Sequence, residues 1–176
     1  VDADGKTGDG AGIHIEIPTD FFIERIKNAG RSHNEGTICI GMIFLPRNDY
    51  AAQEKCKTLV ENELLNKNYY IYRWRQVPVN TKVLGAKAES NRPEIVQLIF
   101  KPNNKNLKND DLERDLFVVR KKIEKQANNL NLKEFYICSF SSRSIIYKGM
   151  FLAEALSEFY PDLMDKRFTS RFAIFH

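Results

Sequence analysis

The chain has 176 residues, 43% of them hydrophobic and 28% charged, with a formal net charge of +4. That is the composition of an ordinary water-soluble globular domain, long enough to bury roughly 70% of its unfolded surface without disulfide staples. It excludes a membrane-spanning helix, because no apolar run approaches ~20 residues. It also argues against a nucleic-acid binder, because lysines and arginines alternate with acids through most of the sequence.

The elements are read in chain order. Gly5, Gly8, Gly10 and Gly12 crowd the opening stretch, directly before an alternating strand in which Ile13, Ile15 and Ile17 face one way and His14 and Glu16 the other. A phosphate-binding glycine loop follows a strand and opens a helix, and here that order is reversed. A calcium loop begun at Asp2 needs Gly at its sixth place and Glu at its twelfth, and finds Thr7 and Ile13. A tight turn with positive φ is the remaining reading. Pro18 ends the strand. A short helix follows over Phe21 to about Asn28, capped by Thr19 or Asp20 and stopped by Gly30. Residues 36–46 (GTICIGMIFLP) are apolar almost throughout and predict a strand buried on both faces.

Asn48 or Asp49 caps the next helix, where Ala52, Cys56, Leu59, Val60 and Leu64 form one core stripe. Residues 69–79 and 94–100 read as strands. In the first, Arg73 and Arg75 share one face and Tyr72 and Trp74 the other. That suits an ordinary strand with a solvated arginine face better than an RNA-binding sheet. Residues 101–111 form a polar loop. Leu112, Leu116, Val119 and Ile123 then mark a long helix, whose Arg120, Lys121, Lys122 and Lys125 spread around its solvated faces. Residues 134–141 and 144–150 are two strands joined by a short turn at Ser142-Arg143. The Ser/Arg-rich turn offers either an oxyanion cradle or a hairpin rich in local side-chain hydrogen bonds, and the hairpin is the commoner outcome. A short helix from Phe151 to Phe159 ends before Pro161, and residues 171–176 form a last strand. Strands outnumber helices and no linker divides the chain. The fold class is α+β with mostly antiparallel sheets, and residues 1–176 form a single domain.

The chemistry is sparse. Cys39, Cys56 and Cys138 are far apart in sequence, with no C-x-x-C and no Cys/His cluster, so a metal site is not expected. Cys39 and Cys138 lie in apolar strands and should pack as small hydrophobes. His14, His33 and His176 come with no nucleophile elbow and no H-x-x-x-H spacing. The residues alone give a soluble α+β domain. The acidic start lacks the basic and apolar regions of a signal peptide, which makes a cytoplasmic protein the default.

Six stretches taken in order carry more. TGDGAGIHIEIP (7–18), YRWRQVPV (72–79), LGAKA (84–88), FVVRKKIE (117–124), YICSFSSRSIIYKGM (136–150) and FYPDLMDKRFTSRFAIFH (159–176) resemble the amino-terminal domain of the glutamate synthase large-subunit family. The resemblance runs from Asp4 to His176. It implies a class II glutamine amidotransferase domain with the four-layer α/β/β/α fold of N-terminal-nucleophile hydrolases, present here in part. In that family an N-terminal Cys attacks the glutamine amide, its own α-amine assists proton transfer, and an Asn-Gly pair supplies the oxyanion hole. The resemblance places the nucleophile before the matched region and the oxyanion pair after it. Val1 cannot be a nucleophile, and none of the three cysteines matches the nucleophile position. No catalytic, cofactor-binding or metal residue therefore carries over to this chain. FMN and the iron–sulfur cluster belong to later domains of the family.

Two expectations follow. The chain is a scaffold fragment of a glutaminase domain completed by further glutamate synthase segments, or a truncated, non-catalytic module with a binding role. Either way, strands lost from the sheets would leave bare edges, which predicts a homo-oligomer through those edges. Neither nucleic acid nor a membrane is an expected partner.

Overall fold

A computed structural model describes residues 3–176. The readings that rest on Val1 and Asp2 lie outside the described residues.

Two antiparallel sheets stack face to face. The larger has the order β3-β4-β2-β5, built from β2 (Cys39–Leu45), β3 (Tyr69–Gln76), β4 (Glu94–Pro102) and β5 (Tyr136–Ser141). The smaller has the order β6-β1-β7, built from β1 (Ala11–Glu16), β6 (Ser144–Gly149) and β7 (Ala173–Phe175). Alternation along β2 shows how the layers arise. Ile40 and Met42 enter the core between the sheets, whereas Cys39, Ile43 and Leu45 enter a second core beneath two helices. A strand with apolar residues on both faces can sit only between two layers.

The helices of that second core are α2 (Tyr50–Asn66) and α4 (Asn109–Asn129). Asp49 caps α2 by accepting the Ala52 amide at 2.9 Å. Leu112, Leu116, Val119, Ile123 and Ala127 form the buried stripe of α4, and Cys56, Leu59, Val60 and Leu64 that of α2. The α2 stripe differs from expectation at one place. Gln53, not Ala52, is buried, because its amide bonds the Pro46 and Arg47 carbonyls below the cap. Three of the four expected layers are present. The outer face of the small sheet carries no helix among the described residues.

The shorter helices sit around the rim: α1 (Thr19–Lys27), α3 (Ala86–Ser90) and α5 (Leu156–Phe159). α1 presents Phe21, Phe22 and Ile26 to the inter-sheet core and ends near Gly30, whose φ of 71° a side chain would resist. The helix expected over 151–159 is split into a turn of 3₁₀ helix at Ala153–Ala155 and the four residues of α5.

Two readings are corrected here. β5 and β6, joined by a two-residue turn, do not pair as a hairpin. β5 pairs with β2 and β6 with β1, so the chain turns a corner from one sheet into the other. The arginine face of β3 is also not solvated. A bulge between Ile71 and Arg73 leaves Tyr72 unpaired, and it sends Tyr72 and Trp74 to opposite faces of the sheet. Tyr72 enters the inter-sheet core, while Trp74 packs under α2 and donates its indole N–H to Glu61 at 2.6 Å. Arg75 follows Tyr72 inward and is 6% exposed.

Candidate functional site

Polar chemistry concentrates where the small sheet, the large sheet and the segment 160–172 meet. Arg75 lies there in a bidentate pair with Asp162, Nη2 to Oδ1 at 2.6 Å and Nη1 to Oδ2 at 2.7 Å. Arg75 Nη1 also donates to Gln97 Oε1 at 2.7 Å, Gln97 Nε2 donates to the Tyr147 hydroxyl at 2.7 Å, and that hydroxyl donates to Asp162 Oδ2 at 3.1 Å. The four side chains come from β3, β4, β6 and the Pro161–Met164 turn, and together they close a hydrogen-bonded ring. All are buried. Burial, then the Asp162 charge, pushes the Tyr147 hydroxyl well above its usual range, so it stays a donor. Each of the four side chains is engaged with another member of the ring. Its geometry fastens the two sheets together.

Beside it opens a cleft of about 550 Å³ between β1, β7 and the segment 153–172, with Ile13, Ile15, Leu163 and Phe168 on its walls. Its polar lining is Ser157, Ser170 and Arg171. Arg171 is held by Glu16, and Ser170 Oγ is spent on the backbone of Glu16 and Phe172. Among the described residues no acid, His or Cys lines the cleft.

The residues that could carry catalysis are scattered. Cys39, Cys56 and Cys138 are all buried. Desolvation pushes Cys56 and Cys138 up to about 11 and Cys39 higher still, so none is a thiolate near neutrality. His14 Nε2 meets Ser144 Oγ at 2.7 Å on the outer face of the small sheet, a pair the sequence did not announce. Phe172 packs edge-on against that His14 ring, and no carboxylate bonds Nδ1 among the described residues, so the orienting acid of a triad is missing. His33 Nδ1 meets the Tyr72 hydroxyl at 2.7 Å. Burial, then the Lys101 charge, lowers the pKa of His33 and favours its neutral form.

The opening loop proves to be a docking device. Asp4 accepts the Lys6 and Thr7 amides at 2.9 and 2.7 Å and the Thr7 hydroxyl at 2.6 Å. Thr7 Oγ1 in turn accepts the Ala88 amide of α3 at 3.4 Å. The Thr7 hydroxyl, then the Thr7 and Lys6 amides, hold the Asp4 carboxyl at about 2. Gly8 lies so close to the Phe151 carbonyl that a Cβ there would stand 2.5 Å from its oxygen. The glycine here serves close approach to the chain entering α5.

The Ser/Arg turn between β5 and β6 does cradle an anion, but an internal one. Glu113 of α4 accepts Ser141 Oγ at 2.9 Å, the Ser142 amide at 2.7 Å and Ser142 Oγ at 2.5 Å. Arg143 pairs with Asp110. The corner between the sheets is thus pinned to the first turns of α4.

The profile of class II glutamine amidotransferases matches residues 1–176, and the chain belongs to that family. It is 53% identical over its whole length to the glutamate synthase [NADPH] large chain of Azospirillum brasilense, covering 12% of that protein. It is 41% identical to the ferredoxin-dependent glutamate synthase of Pyropia yezoensis and 39% to the chloroplastic enzyme of Spinacia oleracea, in each case over 99% of the chain and 11% of the relative. The chain therefore spans about an eighth of the length of these curated relatives. The α+β architecture of stacked antiparallel sheets is that of an N-terminal-nucleophile hydrolase domain.

Proposed function

We propose that this chain is the scaffold of the ammonia-producing glutaminase domain of a glutamate synthase, and that it does not hydrolyse glutamine by itself. The observation that carries the reading is the full-length family match on a chain whose described residues pair no thiol with a base and complete no Ser–His–acid triad. The buried ring of Arg75, Gln97, Tyr147 and Asp162 fixes how the two sheets stack, and hence where residues contributed by other segments would stand. Those segments would supply the nucleophile and the oxyanion donors.

FMN and an iron–sulfur cluster, which the family resemblance implies, would belong to other domains. The residues here do not fit a cluster. The three cysteines sit apart in dry surroundings, and among the described residues no group of three His, Cys, Asp or Glu could hold a metal. No helix is long and apolar enough to cross a membrane.

One observation also fits a second reading, that of a non-catalytic binding module. Among the described residues β7 pairs only with β1, and Ile174 and Phe175 within it and Phe172 just before it stand exposed. In the glutaminase reading further strands of the same polypeptide cover that edge. In the module reading a second copy of the chain covers it.

The mass of the natural polypeptide distinguishes the two. Immunoblotting of a lysate with antibody to this segment should show a band far heavier than 20.4 kDa. A band at that mass would overturn the glutaminase reading.

A further inference from the structure

The face of α4 turned away from the molecule has a composition of its own. Leu112, Leu116, Val119 and Ile123 point inward. On the opposite side Arg114, Phe117, Val118, Lys121 and Lys125 recur at i, i+3, i+4, i+7 and i+11, with Lys122 alongside. α4 rests on α2 and β5, and these six outward side chains are all exposed. Phe117 is 59% exposed and Val118 43%. One exposed apolar side chain needs no explanation, but two neighbours framed by four cations make a distinct patch.

The free charge on this face is positive. All five acids of α4 are engaged: Asp110 with Arg143, Asp111 with Arg114, Glu113 with the Ser141-Ser142 turn, Asp115 with Lys67 and the Tyr69 hydroxyl, and Glu124 with Arg120 and Lys121. Arg120 also turns back to the Ile137 carbonyl at 2.7 Å and so leaves the face. Lys122 and Lys125 form neither an ion pair nor a hydrogen bond among the described residues. Lys121 Nζ stands 5.7 Å from the centre of the Phe117 ring. From Arg114 to Lys125 the outward stripe runs ~17 Å without an acid.

We propose that this face docks a separate protein through an acidic surface that holds an apolar socket, with Phe117 in the socket and Lys121, Lys122 and Lys125 against the carboxylates. Charge complementarity selects that occupant. An aromatic anchor inside a cationic rim is the make-up of a protein–protein contact, and carboxylates on the partner would speed encounter and fix register. Two apolar side chains bury too little to enter a lipid surface. Asp110 and Asp111 at one end, with Phe117 and Val118 in the middle, interrupt the run of cations that a phosphate backbone would need. The high share of charge suits a partner that comes and goes, since a permanent interface is more apolar. α4 lies on the far side of the large sheet from the inter-sheet core, so the inference is independent of the glutaminase reading.

The probe is a fluorescent helical peptide of about 20 residues with glutamates on both sides of a leucine stripe. Fluorescence anisotropy with the natural protein that carries this chain should show saturable binding. The same peptide with Gln for Glu should bind at least about 10-fold more weakly, a comparison made on the unaltered protein. Lys122→Glu combined with Lys125→Glu should weaken binding about 10-fold, and Phe117→Ser about 5- to 10-fold. Lys27→Glu, at an exposed position of α1 across the large sheet, should change binding by less than about 2-fold. Thermal unfolding of each variant should match the parent, because the substituted side chains are all exposed. Absence of saturable binding, equal binding of the Gln peptide, no effect of Phe117→Ser, or an equal loss with Lys27→Glu would overturn the proposal. So would tighter binding of single-stranded RNA or of phosphatidylserine vesicles than of the peptide, either of which would make the face a reader of phosphate.

Discussion

Replacing Asp162 by Asn removes one charge from between the sheets and leaves the Arg75 guanidinium without its bidentate partner. The Arg75 side chain is 7% exposed and that of Asp162 4%, so water cannot take the lost carboxylate's place. Removing one member of a buried pair costs about 3–5 kcal/mol, most of it the penalty of the uncompensated charge. With a urea m-value on the order of 2 kcal/mol/M, the unfolding midpoint of this chain should fall by about 1.5–2.5 M. The same argument predicts a rescue. Replacing both partners, Arg75→Met with Asp162→Leu, should cost much less than the single change, since apolar side chains of similar volume leave no stranded charge. Urea titration followed by circular dichroism reads both. An Asp162→Asn midpoint within about 0.3 M of the parent, or a double variant worse than the single one, would refute the view that the pair locks the sheets.

Other outcomes follow from the same geometry. The three thiols should resist a disulfide reagent at pH 8 and react together only when the chain is unfolded, as thiol release measured with and without denaturant will show. Asp4 has a folded pKa of about 2, below its unfolded 3.8, so its contribution is complete above pH 4 and lost as the pH falls through about 2. The protection factor of the Ala88 amide, its exchange relative to an unstructured chain at the same pH, should fall across that window, and Asp4→Asn should abolish that change. The depressed His33 acts with the same sign nearer neutrality. Stability should decline as the pH drops below 6.5, and His33→Gln should flatten that slope in pH-dependent urea midpoints. Leu116→Ala, in the middle of the α4 stripe, should cost about 2–5 kcal/mol in the same titration.

Local pattern was legible where one physical cause dominated. The run from Cys39 to Leu45 is apolar on both faces, and it lies between two cores. The i, i+4, i+7, i+11 spacing of α4 placed four of the five residues of its buried stripe, with Ala127 one turn further on. The strands after residue 134 were legible as strands but not as members of different sheets, because a two-residue turn serves a hairpin or a corner equally well. Arg75 was misjudged because face assignment assumes an unbroken period of two. The bulge at Tyr72 breaks that period and carries an arginine inward. Its partner lies 87 residues further on, beyond the reach of any local signal. The anion in the Ser/Arg turn was likewise hidden, since Glu113 sits 29 residues earlier on a helix that reads as solvated on that side. The docking of the glycine loop on α3 links residues 81 apart.

The central claim is that this chain positions glutamine chemistry without performing it. Ammonia release from glutamine by the natural protein, compared with a variant carrying Cys39→Ala, Cys56→Ala and Cys138→Ala, tests that claim most directly. The account predicts that the natural protein releases ammonia, and that the triple variant does so at a similar rate as long as its unfolding transition is retained. Loss of ammonia release in a folded triple variant would make one of these thiols the nucleophile and contradict the account.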